Sequence, residues 1–239
     1  MYIFLNRFHN ISYLYLSKLL LLTLCLLTFN VWASNVVIEL NKALPKNISH
    51  NIYSYLGDLP NNNAERLLFI ANARKKITNA IQALGYYRAA INIETTGEDD
   101  NTSWVLKIDV ALNQPTVIES SEIVISGDAQ YDEAFKALIK QQGFAQGEIL
   151  DHGKYEKLKL SLAALGLKHG YFDATFIDSR IAIHQSYHSA KIYINYHSGQ
   201  QFRLGQVNFS NIDMNKELLT QLIPFSYGQL YHVKHLRHL

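Results

Sequence analysis

Two hydrophobic rhythms alternate along the chain. In "SWVLKIDVAL", starting at Ser103, the apolar residues Trp104, Leu106, Ile108, Val110 and Leu112 fall on every second position, the period of a strand buried on one face. In the stretch before it, Leu67, Ile70, Ala71, Arg74, Ile77, Ile81 and Leu84 recur at three- and four-residue spacing, which predicts a helix with those residues on one side. The run Asn61 to Asn63 supplies N-cap candidates for that helix, and Gly85 is its stop. A shorter helix precedes it, with Ile48, Ile52 and Leu56 after Pro45 and with Gly57 and Pro60 at its end. A strand, "VVIEL" from Val36 to Leu40, opens the unit, "AAINIET" from Ala89 follows the long helix, and the loop "GEDDNT" is a hairpin connection. The predicted order is strand, helix, helix, strand, strand.

That order is then written again. "SEIVISGDA" from Ser121 is a strand, Asp132 caps a helix carrying Phe135, Leu138 and Ile139, and a second helix places Tyr155, Leu158, Leu162, Leu165 and His169 on one face before Gly170. Strands "ATFIDSRIAI" and "AKIYINY" close the unit, with Ala190, Ile192, Ile194 and Tyr196 alternating with polar residues. The helix-to-strand junction is a Gly followed by two aromatics in both copies: Gly85 with Tyr86, and Gly170 with Tyr171. The glycine can take the left-handed conformation that ends a helix, and the following Tyr is expected to turn back as a core anchor. A third unit starts with a strand, "LGQVNFSNI" from Leu204, and a helix around Leu218, Leu219 and Leu222. Its next segment, "PFSYGQLYHVKHL", aligns with "GFAQGEILDHGKY", so that Phe225 falls on Phe144 and Gly228 on Gly147. No third junction or closing hairpin follows, so the unit is expected to be truncated inside its second helix and poorly stable from about Phe202 onward.

The N-terminus changes this picture of plain tandem domains. Arg7 and Lys18 precede an apolar run, "LLLLTLCLLTF", and "VWAS" offers Val31 and Ala33 as the small residues of a cleavage site. The run is too short for a hydrocarbon core that needs roughly 20 residues, so residues 1–33 are expected to be a signal peptide and the exported chain to begin at Ser34. Export removes Cys25, the one cysteine, leaving a protein without disulfides that must be held by its cores. Without Arg7 and Lys18, two of the 22 basic residues, the exported part balances its 20 acidic ones, which argues against a nucleic-acid or polybasic membrane role.

No catalytic constellation is visible. His232, His235 and His238 recur at three-residue spacing in "HVKHLRHL", but no carboxylate or Cys accompanies them, and they are read as surface residues rather than metal ligands. No nucleophile or phosphate loop stands at a motif spacing, so neither an enzyme nor a cofactor is expected.

Four stretches carry a resemblance: "NARKKITNAIQALGYYRAAI", "YEKLKLSLAALGLKHGYFDATF", "YHSGQQFRLGQVNF" and "IPFSYGQLY". In that order they resemble the tandem POTRA domains of the outer-membrane assembly-factor superfamily, and within it the TamA type, the translocation and assembly module subunit. The resemblance implies an α+β chain with a signal peptide at 1–33, POTRA-type domains at 34–113 and 114–199, and a truncated third at 200–239. It further implies a periplasmic arm on the inner side of a Gram-negative outer membrane. Such an arm supports insertion of outer-membrane protein clients together with a TamB-like, inner-membrane-anchored partner. The family's C-terminal transmembrane barrel has no counterpart up to Leu239, so partner docking rather than barrel insertion is expected here. A free-standing soluble periplasmic binding or chaperone-like module is the alternative function. In this fold the strand after each junction is expected at a sheet edge, where an extended partner can add a strand. The candidate docking residues are therefore Ala89, Ile91, Ile93 and Thr95 in the first unit and Ala174, Phe176, Ile177 and Ile181 in the second.

Overall fold

The computed structural model describes residues 35–41, 43–97, 103–210 and 215–236. The expected signal peptide and most of the "GEDDNT" loop lie outside them. Two β-α-α-β-β units follow one another. The first comprises β1 (Asn35–Leu40), α1 (Lys46–Leu56), α2 (Asn63–Gln82), β2 (Ala90–Thr96) and β3 (Ser103–Ala111). The second comprises β4 (Val117–Ser126), α3 (Glu133–Gln142), α4 (His152–His169), β5 (Thr175–His184) and β6 (Ser189–His197).

Each unit builds one three-stranded sheet whose last strand is central. The orders are β1-β3-β2 and β4-β6-β5, with the first strand parallel and the middle one antiparallel to the last. The central strands carry the strictest alternation: Trp104, Leu106, Ile108 and Val110 on β3, and Ala190, Ile192, Ile194 and Tyr196 on β6, are all buried. Against them lie Ile48, Ile52 and Leu56 of α1 in one unit and Tyr155, Leu158 and Leu162 of α4 in the other. Each fully buried Leu or Ile contributes about 1.5–3 kcal/mol of transfer free energy, which is what holds two small sheets without a disulfide.

The helices begin where the side-chain caps allow. Asn62 accepts from the Glu65 N–H at 2.9 Å, Asp132 from Ala134 at 2.9 Å, and Asp151 from Gly153 at 2.7 Å. The buried stripe of α2 differs from the expected one. Phe69, Ala73, Ile77, Ala80 and Ile81 are buried, whereas Leu67, Ala71 and Arg74 face outward. The Phe69 ring packs edge-on to Trp104, centroids 6.1 Å apart, and burying this large pair turns the helix away from the Leu67 side.

Two further expectations are corrected. Strand β4 begins at Val117, four residues before Ser121, because its start is drawn into pairing with the loop that precedes α4. No strand forms over 204–210; only an isolated bridge joins Arg203 to Leu230, and the helix there is the short α5 (Lys216–Gln221). In the two full units the opening strand is stabilised by the closing one, and among the described residues nothing offers the segment after Leu204 such a partner.

A tight contact inside the second core gives a test. The Tyr196 hydroxyl is buried without a hydrogen-bond partner among the described residues, and a Cβ on Gly166 would collide with it. Gly166→Ala is expected to destabilise the chain by about 1–3 kcal/mol in urea denaturation. Tyr196→Phe should be neutral or stabilising by about 1 kcal/mol, and should recover part of the Gly166→Ala loss when the two are combined.

Candidate functional site

The glycine-aromatic junctions do more than end a helix. Gly85 and Gly170 have φ of 89° and 85°, the left-handed region that suits glycine. Their carbonyls then accept the chain that leads into the next unit. The Thr116 N–H donates to the Gly85 carbonyl at 2.8 Å, and the Phe202 N–H donates to that of Gly170 at 2.9 Å. Beyond this point both junctions repeat the same pattern. Leu150 donates to Thr116 O and Tyr231 to Phe202 O; Ile118 donates to Glu148 O and Leu204 to Gln229 O; Gly147 donates to Ile118 O and Gly228 to Leu204 O, all at 2.8–2.9 Å. Gly147 and Gly228, matched in the sequence alignment, both adopt positive φ, at 83° and 77°. The segment from Phe202 onward is thus fastened to the second unit as the second unit is fastened to the first.

The approach is close enough to exclude a side chain. A Cβ on Gly85 would stand 2.6 Å from the Leu150 carbonyl oxygen, and one on Gly170 would stand 2.7 Å from Tyr231 Cβ. The two aromatics after each glycine divide between neighbours. Tyr86 packs against the first core, while Tyr87 packs against the second. In the second copy Tyr171 is buried in its own core, and Phe172 turns to the following segment, its ring centre 5.2 Å from Phe202 and 4.8 Å from Tyr231. The sequence reading took Tyr86 and Tyr171 as core anchors. The outward role of Tyr87 and Phe172 was missed, although the doubled aromatic was its signal.

Tyr87 meets His152, the first residue of α4. Burial pushes the Tyr87 hydroxyl up to about 12, so it keeps its proton and donates to Nε2 of His152. Burial holds His152 below the ordinary histidine range, against the opposing pull of Asp151 and Glu156. The imidazole is therefore neutral in the assembled junction and accepts the hydrogen bond from the tyrosine hydroxyl.

Of the candidate edge residues, Ile91, Ile93 and Thr95 lie on β2 and Phe176, Ile177 and Ile181 on β5, whereas Ala89 and Ala174 each stand one residue before the strand starts; among the described residues, β2 pairs with β3 alone and β5 with β6 alone. Ala89, Ile91 and Ile93 are half-buried against the first core, and Thr95 is exposed. Ala174, Phe176 and Ile181 are half-buried against the second core, but Ile177 is 63% exposed. A register shift between Phe176 and Asp178 leaves Ile177 as the extra residue of a bulge, which breaks the β5 edge. The β2 register runs unbroken from Ala90 to Thr96, beside a groove lined by Asn41, Asp109 and Val110. Its Ile91 carbonyl is taken by Arg74 Nη1 at 2.7 Å. The N–H and C=O of one antiparallel residue share a side, so Ile91 turns both outward.

His232 and His235 have ring centres 6.0 Å apart, and His238 lies outside the described residues. Among the described residues no three His, Cys, Asp or Glu side chains converge as metal ligands, and no helix is long and apolar enough to cross a membrane.

Two outcomes follow from the first junction. Gly85→Ala is expected to cost about 1–3 kcal/mol, and to split a single unfolding transition into two, because it strains φ and forces Leu150 away. Freed His152 takes up its proton near 6.5 while the docked ring resists it, so the undocked state binds more protons in acid. Junction stability is then full above about pH 6.5 and falls as pH drops; the loss, read by urea denaturation across that range, should be largely absent in His152→Gln.

Residues 42–112, which span both helices and the β2-β3 pair of the first unit, match the family model described as POTRA domain TamA domain 1. Among solved structures, the chain is similar to BamA POTRA3-5 from Haemophilus influenzae, at 15% identity over 86% of this chain and 82% of that one, with a TM-score of 0.46. It is similar also to POTRA1-3 of the periplasmic domain of Omp85 from Anabaena, at 18% identity over 86% and 80%, with a TM-score of 0.33. The N-terminal domain of Omp85 from the cyanobacterium Thermosynechococcus elongatus gives 12% identity over 86% and 81%, and a TM-score of 0.32. The first unit thus matches the TamA domain 1 family over residues 42–112, and the second unit repeats its β-α-α-β-β order.

Proposed function

We propose that this chain is the periplasmic arm of a TamA-like outer-membrane assembly factor, acting by docking outer-membrane protein clients and a TamB-like partner rather than by catalysis. The observation that carries this reading is the match of residues 42–112 to the TamA domain 1 family. In this reading residues 1–33 are the signal peptide, 34–113 and 114–199 are complete domains, and 200–239 belong to a third. The apolar N-terminal run supports export, and the near-balance of charge supports a protein partner over nucleic acid.

Docking would proceed by strand addition at β2. That edge is continuous over seven residues, and its outward groups can match the main chain of an extended client. Arg74 occupies one of them, so an incoming strand must displace its guanidinium. The bulge and the Asp178–Arg180 ion pair, at 2.6 Å, make β5 the poorer edge.

The test uses a labelled peptide with the alternating pattern of an outer-membrane β-strand and fluorescence anisotropy. Ile91→Pro removes an outward N–H and leaves the ladder to β3 intact, so the circular dichroism should be unchanged while affinity falls by about tenfold or more, the equivalent of one to two lost main-chain hydrogen bonds. Ile177→Pro should have the smaller effect. Unchanged binding in a folded Ile91→Pro chain would refute docking at β2.

A further inference from the structure

The second junction carries a string of titratable side chains beside its backbone bonds. Asp132, the N-cap of α3, uses Oδ1 to accept from Ala134 N–H and Oδ2 to accept from His169 Nδ1, the latter at 2.6 Å. His169, the last residue of α4, stands edge-on to Phe135, and its ring centre is 4.7 Å from that of His232 in the docked segment. Nδ1 of His232 accepts the Lys234 backbone N–H at 3.0 Å. His235 follows at 6.0 Å between ring centres and bonds to Gln229, itself part of the backbone pattern through its carbonyl to Leu204. Gln201 ties the two sides, its Nε2 donating to the carbonyls of His169 at 2.8 Å and Tyr231 at 3.2 Å.

This geometry tolerates one charge state at His232. The ring can accept from Lys234 only while Nδ1 is unprotonated. A proton there abolishes that bond and sets a cation 4.7 Å from the imidazole of His169, whose Nδ1–H is held by Asp132. The other groups facing the pair are Lys168 from α4, Lys234 and His235 from the docked segment, and Tyr171. Asp128, the remaining acid on this side, is engaged by the Gln201 N–H at 3.0 Å. We propose that Asp132, His169 and His232 form an acid-released latch, in which protonation of His232 lets residues 229–236 leave the second unit and frees the chain after Gly170 to swing.

The direction agrees with the surroundings. Burial first, then the charges of His169, Lys234, Lys168 and His235, hold His232 below the ordinary histidine range. The docked state sheds the proton that a released ring would take up near 6.5, so the latch is closed above about that pH and opens as pH falls. The backbone bonds around Phe202 and Tyr231 do not titrate, so the side chains alone supply the pH dependence.

The experiment is amide hydrogen exchange on the full chain between about pH 7.5 and about pH 5.5, corrected for the intrinsic effect of pH. Protection at Phe202, Leu204, Gly228 and Tyr231 should fall about tenfold on acidification, while Ile192 and Ile194 of β6 hold. His232→Gln, which can still accept from Lys234 but cannot titrate, should flatten the change. His50→Gln, at an exposed histidine of α1, should not. The latch is overturned if wild-type protection ignores pH or if His232→Gln keeps the full dependence. If His232→Gln loses protection already at neutral pH, the wild-type imidazole titration by NMR decides: a His232 midpoint below that of His50 supports the latch, and one equal to it or higher overturns it.

Discussion

The approach of one unit's backbone to the glycine that ends the previous unit's helix is the contact on which the arrangement depends. At Gly85 the left-handed turn points a carbonyl at Thr116, and the absent side chain lets the Leu150 carbonyl come closer than any Cβ would permit. Once that distance is set, Tyr87 reaches the second core and His152 stands half-buried beside it. The linker is therefore no free tether. It is a short stretch of paired backbone that starts from the bond at the glycine.

Repeating the same bonds at Gly170 makes the arrangement modular. The side chains that decorate the bonds differ, with Tyr87 and His152 at one junction and Phe172, Phe202 and Tyr231 at the other. Imidazoles stand at both, in places where burial favours the neutral ring. Neutral histidine serves there because it packs like an aromatic and still accepts a hydrogen bond, a combination Phe cannot provide and Lys would lose to its desolvation cost. The sheet edges lie elsewhere in each unit, so that rigidity along the chain and exposure of main-chain groups to a partner make no competing demands on the same residues.

Most of the fold was legible because burial in a sheet or helix leaves a periodic trace. The alternation at Trp104 to Val110 and at Ala190 to Tyr196 located both central strands, and Asp132 and Asn62 marked helix starts through chemistry that acts within three residues. Legibility failed where a partner distant in sequence chose between local options. Trp104 turned α2 so that Phe69 rather than Leu67 is buried, and the segment after Leu204 pairs with no strand among the described residues. The edge position of β2 and β5 was foreseen, yet the bulge at Ile177 was not, since one extra residue in a strand leaves no mark in its composition.

The sequence by itself determined the two β-α-α-β-β units, the core faces of their central strands, and the glycine-aromatic punctuation between them, because propensity, capping and hydrophobic period act over a few residues. Only the tertiary structure decided what the punctuation is for. Whether a glycine carbonyl meets water or the next linker, whether the second aromatic enters its own core or its neighbour's, and which imidazoles face one another all depend on residues some 30 to 65 positions apart being brought into contact. A local pattern carries no record of that distance; packing supplies it.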